Sequence, residues 1–437
     1  MSDRFSVSLV TQIGKETTKG SPAAASLRLR SVGAQPAIKA NFETRRTEGD
    51  KRPSLSLATK EWTECALTGI ATYNELGYLL SSLISKPTSS ALGGGVYQHT
   101  FESARQLPDD LQSFTVEVGS STACERFSYG MVSEQDFKLN RDQVSLRGSM
   151  YGQGLQDSHN DSISLTAGPN EVQTVTLSGT GLGGTFTLSY HGATTGGLAA
   201  NASASAVQTA LQGLSTIGSG NAGVTGSAGG PYTVTFIGAL AGRGLPLLVA
   251  DGSSLTGTDA AVSVTEATRG GMAELPMIPI MPGDISLYLA NSYAGLTDSA
   301  NKLARSFDTE LNLGDRTKPF WIQDSAVGSF AGHAEGQPKE TLQLMLGADD
   351  TAMALRAAYR SGASLYFRLD AQSQQFAING GSTKHRFLFD ASVKVSAVKE
   401  FKDEQGLYAL GFELTLMDDA AWGRSYVATL VNGVAAY

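Results

Sequence analysis

Cysteine is nearly absent: Cys65 and Cys124 are the only two in 437 residues. A chain of that length can bury a core without staples, so two free thiols in a reducing compartment are expected. Basic residues number 33 against 41 acidic ones, a formal charge of −8. That balance argues against a general nucleic-acid binder, whose surface must offer cations to phosphates. No apolar run approaches the roughly 18 residues of a membrane-spanning helix. The opening MSDRFSVSLV lacks the basic and apolar regions of a secretory leader. His99, His159, His191, His333 and His385 are scattered, with no i, i+4 pair and no nearby Cys, whereas zinc or non-haem iron needs convergent N or S ligands. Gly14-Lys15 resembles the end of a phosphate loop, but Leu9 stands where a glycine is required and Glu16 where a hydroxyl should follow. No G-x-S-x-G elbow occurs, and Gly380-Gly381-Ser382-Thr383-Lys384 reads as a hairpin turn. A dispersed Ser-His-Asp triad leaves no local trace, yet nothing points to one. The chain reads as a non-enzyme with no catalytic residue, metal site or cofactor.

What is present is glycine, 50 residues of it, and three composition zones. Residues 1 to about 160 carry ordinary charge. From Ser164 to Thr268 only Glu171, Arg243, Asp251, Asp259 and Glu266 are charged, amid Gly, Ala, Ser and Thr. Charge returns from Arg269 onward. The division expected is 1–161, 162–270 and 271–437, a middle segment between two copies of one fold.

A short phrase suggests the duplication. Phe42-Glu43-Thr44 is followed after four residues by Gly49-Asp50-Lys51, and Phe307-Asp308-Thr309 by Gly314-Asp315-Arg316. Similar elements follow both copies in the same order. In the first, Leu27–Arg30 alternates, the charged phrase follows, and Ser54–Leu57 restores the period of two that a half-buried strand needs. Leu76, Leu79, Leu80, Leu83 and Ile84 then form one apolar helical face, followed by strands at 114–118, 127–132 and 144–150. In the second, 285–289 alternates, the phrase follows, 341–346 alternates, and Asp349 or Asp350 caps a helix through Tyr359. Strands at 365–369, 386–389 and 408–416 complete it, with Arg386-Phe387 echoing Arg126-Phe127. The middle segment predicts strands at 172–177, 185–190 and 232–237, with an edge at 262–264. A helix is expected over 202–214, capped by Asn201 or Ser203 and striped by Ala204, Val207, Leu211 and Leu214.

Charged residues offer the remaining candidates. In Glu43–Arg52 seven of ten positions are charged, namely Glu43, Arg45, Arg46, Glu48, Asp50, Lys51 and Arg52. Asp308, Glu310, Asp315, Arg316 and Lys318 are their counterparts. Both sets read either as solvated loops or as a docking arm used twice. Glu134, Asp136, Arg141 and Asp142 are placed similarly to Lys399, Glu400, Lys402, Asp403 and Glu404. Most simply these are solvated hairpin tips. Alternatively, Glu134, Asp136, Asp142, Glu400, Asp403 and Glu404 face a channel and repel phosphates, while mixed-sign pairs join neighbouring subunits.

With Leu-Arg-Ser-Val-Gly at 29–33, the Phe-Glu-Thr arm, the helix around Glu75-Leu76-Gly77-Tyr78 and the late alternating strands, the flanks resemble tail tube proteins of long-tailed bacteriophages. The resemblance covers most of 25–160 and 275–420. Val-Gln-Thr-Val-Thr-Leu at 172–177 and Gly-Gly-Pro-Tyr-Thr-Val-Thr-Phe at 229–236 are similar to a module inserted in phage virion proteins. The resemblance implies a mainly β chain: two tandem β-sandwich or barrel modules, each with a flanking helix, and a small inserted α+β or β-sandwich domain held outside as decoration. It also implies rings that stack through arms, here trimeric and pseudo-hexameric because the fold occurs twice. The implied partners are the chain itself, a tape-measure protein in the lumen, tail terminator and distal tail proteins, and genomic DNA passing without specific binding, with no membrane. The implied location is the virion tail, assembled in the host cytoplasm. The alternatives are another tail component (baseplate, distal tail or decoration protein) or a glycan-binding surface module carried by 162–270.

Overall fold

The computed structural model describes residues 9–120, 123–324 and 328–437; the first eight residues, read above for a leader, lie outside them. The protein is mainly β and divides into two compact units, Met1–Leu165 with Glu274–Tyr437, and Thr166–Ala273. The first flank supplies β1 (Val10–Lys15), β2 (Val32–Arg45), β3 (Leu55–Ile70), α1 (Leu76–Leu83), β4 (Phe114–Gly119), β5 (Cys124–Asn140) and β6 (Val144–Asp157). A hairpin of Thr88–Gly93 and Val96–Phe101 lies between α1 and β4.

The middle unit is α+β. Its β7 (Val172–Tyr190) is one long strand, where a break was expected around 178–184. Gly179 and Gly181 take positive φ there, and register shifts at Ser178/Thr180 and Thr180/Gly183 let the strand bulge and continue. The helix α2 (Ala204–Gln212) starts at Ser203, whose side chain accepts from the Ala206 N–H, and it buries Val207 and Leu211. Next come β8 (Ala222–Gly226), β9 (Tyr232–Phe236) and β10 (Leu255–Thr268). The segment 262–264 is no separate edge: it belongs to β10, which pairs along most of β7. Val175, Phe186, Leu188, Val234 and Phe236 fill this core. Glu171 is buried there, with backbone and amide donors around its carboxylate. Burial alone would raise its pKa, but the Gly270 N–H at 2.7 Å, the Gln173 amide and the Leu245 N–H hold it below the usual range.

The second flank adds β11 (Ile285–Ala290), β12 (Ser306–Gly314), β13 (Lys339–Gly347), α3 (Asp350–Ser361), β14 (Leu365–Ala377), β15 (Lys384–Glu404), β16 (Leu407–Leu416) and β17 (Tyr426–Asn432). Asp349 caps α3 by accepting from the Thr351 and Ala352 N–H groups, and Gly362 closes it in the left-handed conformation.

The pairing path of the two flanks is the same. In the first, β1 pairs β4, β4 pairs β5, β5 pairs β6, β6 pairs β3 and β3 pairs β2. In the second, β11 pairs β14, then β15, β16, β13 and β12 follow in turn. Every ladder is antiparallel, and the helix follows β3 in one flank and β13 in the other. The flanks expected as separate modules nonetheless form one unit. Phe127, Phe137 and Leu79 share a single core with Leu311, Phe387 and Phe412. The strand Val96–Phe101 pairs β17. In α1 every residue is buried, and Gly77 lets the Tyr437 ring lie so close that a Cβ would meet it at 2.3 Å.

Candidate assembly edges

One ladder joins the flanks and creates the most informative surface. β5 and β12 run antiparallel, with Leu139 opposite Thr309, Phe137 opposite Leu311 and Gln135 opposite Leu313. Alternation sends Phe137, Leu139, Leu311 and Leu313 into the core, where Phe137 is 2% exposed and Leu311 and Leu313 fully buried. It leaves Glu134, Asp136 and Lys138 on the other face with Asp308, Glu310 and Asn312. There the Asn312 amide donates to Glu134 at 3.0 Å and also to Asp136, while Lys138 lies 3.9 Å from Asp308. Partial burial, with repulsion from Glu134 and Glu310 added, raises the Asp136 carboxyl against the pull of Asn312. Thus Glu134, Asp136, Asp308 and Glu310, assigned separately to lumen and arm, meet at one joint.

With that joint, β2–β3–β6–β5–β12–β13–β16–β15 is one unbroken antiparallel run. Its two ends are open among the described residues. At one end β2 pairs only β3. At the other, β15 beyond Lys394 pairs only β16. Each end carries exposed large apolar side chains, which also occur elsewhere on the surface: Ile38 at 56%, Phe42, Leu55 and Leu57 on the first hairpin, and Phe401 at 46%, Leu407 and Tyr408 on the second. Glu400 and Asp403 are exposed and Glu404 half-buried along distal β15. Lys399 donates to Gln343 at 2.9 Å, and Phe401 packs edge-on against Tyr408 at 5.6 Å. Asp142 is exposed at the β5–β6 turn, its N–H bonded to the Asn140 side chain.

The arms differ. Residues 41–60 of the β2–β3 hairpin are exposed throughout, which places Glu43, Arg45, Arg46, Glu48, Asp50, Lys51 and Arg52 in solvent; Glu43 and Arg45 pair at 3.0 Å. The second arm is folded down. After Asp315, Thr317–Phe320 and Gly332–Glu335 make a short hairpin. Trp321 meets Trp62 at 5.8 Å, and Phe330 sits against Tyr129 and Tyr151. Lys318 is exposed, and Asp315 is held by Lys339 at 2.9 Å. Arg316 is not a docking residue on this surface. It is 7% exposed, with Nε on the Leu83 carbonyl at 2.8 Å, a second nitrogen on Asp109 at 2.8 Å and a third on Glu340 and the Tyr426 hydroxyl at 2.5 Å. A guanidinium surrounded by two carboxylates outweighs any gain from solvent.

The repeated phrase is also out of register. Phe42 lies deep in β2, opposite Ala58 near the hairpin end, whereas Phe307 is the second residue of β12. The ladders make Ala34 the counterpart of Thr309, since Ala34–Leu67–Gly148–Gln135 matches Thr309–Leu344–Phe412–Val398.

Sequence reading missed two buried carboxylates that tie loops down. Glu16 accepts from the Gly20 and Tyr129 N–H groups and from Ser113 and Thr115. Glu75 accepts from the Arg30 and Ser31 N–H groups, each at 2.9 Å. Apart from Gly20, four residues from Glu16, the partners are far along the chain, so neither carboxylate has a clear local signal. Among the described residues no three His, Cys, Asp or Glu side chains converge to hold a metal, and no helix is long and apolar enough to cross a membrane.

Neither a family model nor a curated protein matches the chain. A solved structure of the SPP1 tail tube, from solid-state NMR and cryo EM, matches at 17% identity over 36% of this chain and 80% of that one, with a TM-score of 0.25. That likeness is too slight to bear on the function.

Proposed function

We propose that the chain is a structural subunit of a bacteriophage tail tube. It associates with itself into closed rings that stack around a lumen, and it makes or breaks no bond. The observation carrying this reading is the β5·β12 joint: two copies of one pairing path are already fused edge to edge, with a matching open edge at each end. Exposed edges template further pairing until a closed assembly removes them. With two copies per chain, three chains supply six lobes, a trimeric pseudo-hexameric ring.

In such a ring the face opposite the core lines the channel. Around the joint its carboxylates, Glu134, Asp136 and Glu310, are interleaved with Lys138 and Arg147, so no cationic stripe runs along it to hold phosphates. DNA passes without specific binding, after a tape-measure protein that occupies the lumen during assembly in the host cytoplasm. Tail terminator and distal tail proteins then meet the two ends of the tube in the virion. The exposed hairpin 41–60 is the arm that reaches the next ring, and the middle unit is external decoration.

Negative-stain microscopy of the purified protein tests this. Hollow filaments built of rings with a threefold axis are expected. A single ring that never stacks would point to a distal tail or baseplate component instead, and a monomer at all concentrations would sink the proposal.

A further inference from the structure

We infer that the contact between chains is a repeat of the contact inside the chain: the distal half of β15 pairs antiparallel with β2 of a second copy, in the register set by β5·β12. This rests on the ring reading above but is more specific, because it names the strands, the register and the residues.

The argument starts from equivalent rows across the sheet. Phe137–Leu146–Gly69 in the first flank corresponds to Phe401–Leu410–Leu346 in the second. On the receiving strand, Pro36 opposite Cys65 corresponds to Leu311 opposite Leu342. Inside the chain Phe137 faces Leu311 and Lys138 faces Glu310. Transferred, that register sets Phe401 opposite the second copy's Pro36, Lys402 opposite Gln35 and Asp403 opposite Ala34.

Three observations favour a second copy as the occupant. First, the side chains that are buried at the internal joint have exposed counterparts at the open ends: Phe401 at 46% stands for Phe137 at 2%, and Ile38 at 56% for the fully buried Leu313. Pairing the ends would cover both. Second, Glu400 comes opposite Ala37 and diagonal to Lys39, a half-exposed cation that pairs Glu64 at 3.5 Å within the chain, so opposite charges meet across the seam. Third, the two open strands end the same unbroken run and pair in no further ladder among the described residues; the Ala34 N–H already donates to the Thr11 hydroxyl at 3.2 Å, so the free edge of β2 begins beyond it. Pro36 offers no N–H and the Ala34 N–H is held by Thr11, so the intermolecular ladder is up to two bonds poorer than the internal one.

The register is tested by oxidising the full-length double variant Gln35→Cys/Lys402→Cys. The native thiols give little background, since burial pushes Cys65 up to about 12 and Cys124 up to about 11. Disulfide-linked dimers and trimers on a non-reducing gel are expected. They should be absent from Gln35→Cys/Phe401→Cys, where a one-residue slip puts the thiols on opposite faces. A second variant, Phe401→Asp, should keep the circular dichroism and melting of the parent yet lose the assembled peak in size-exclusion chromatography. Rings or tubes that form without cross-linking at 35/402, or that cross-link at 35/401, overturn the inference while leaving the tube reading intact. Cross-linked dimers without any closed ring uphold the joint and sink the ring. A Phe401→Asp protein that still assembles overturns the joint whatever the gel shows.

Discussion

The two flanks share a pairing path and differ in what they do with their ends. In the second, the arm after β12 is folded onto the first flank through Trp321 and Phe330, and Arg316 is locked between Asp109 and Glu340. In the first, the hairpin 41–60 is free and Lys51, the last residue of the same phrase, is exposed. The difference teaches that a repeated fold can keep one copy for its own stability and leave the other available to neighbours.

The largest expected effect of breaking this asymmetry is at Arg316. Arg316→Ala leaves two buried carboxylates unpaired and should cost about 3–5 kcal/mol, whereas Lys51→Ala should stay within about 0.5 kcal/mol; urea unfolding of both reads the contrast directly. Phe137→Ala should lose a similar amount, about 3–5 kcal/mol, by leaving a core cavity. Phe401→Ala in the unassembled chain should lose less than about 1 kcal/mol. A pH scan isolates a feature of the second flank. Burial pulls the His385 imidazole down to about 4, so the folded state stays neutral where the unfolded chain takes up a proton. Stability should therefore fall as pH drops from about 6.5 to about 4, by up to about 3 kcal/mol, and His385→Gln should flatten that slope. The helices give the smallest contrast. Asp349→Ala removes a cap and should cost about 1 kcal/mol. Glu75→Ala exposes no cap, since α1 has none from a side chain, but strands the Arg30 and Ser31 N–H groups and should cost about 2–3 kcal/mol. Equal losses at Glu75 and Asp349 in thermal melts would mean that the two helix starts are held alike.

Local rules made much of this legible. Alternation located β3, β13 and β16, the Leu stripe located α1, and Asp349 and Ser203 cap their helices as their short acceptor side chains suggest. The low-charge stretch from Ser164 to Thr268 runs along the compact unit Thr166–Ala273, because a small unit built from Gly, Ala, Ser and Thr differs in composition from its surroundings all along its length. What failed was any inference that needed a distant partner. The phrase at 42–51 and 307–316 suggested a correct element order from a pair of segments that are not equivalent. A charged window cannot show that Arg316 meets Asp109, more than two hundred residues away, while its look-alike meets water. The glycines at 179 and 181 signalled a break because a bulge and a turn use the same residue type; only the presence of β10 alongside decides for the bulge. The joint itself was invisible, since Glu134 and Asp308 reveal nothing of each other until β5 and β12 lie together.

The entry and exit of the middle unit deserve a last consequence. The chain comes in through Gly168 and goes out through Gly271, backbones so close that a Cβ on Gly168 would meet the Gly271 carbonyl carbon at 2.0 Å, and the Gly271 N–H bonds the Pro169 carbonyl at 2.9 Å. A module whose two ends touch behaves as a removable cassette: cutting it out asks only for a tight turn to reconnect the severed ends. In the assembly proposed above, foreign sequence swapped into that gap would make a display scaffold, with cargo copy number set by the number of polypeptides.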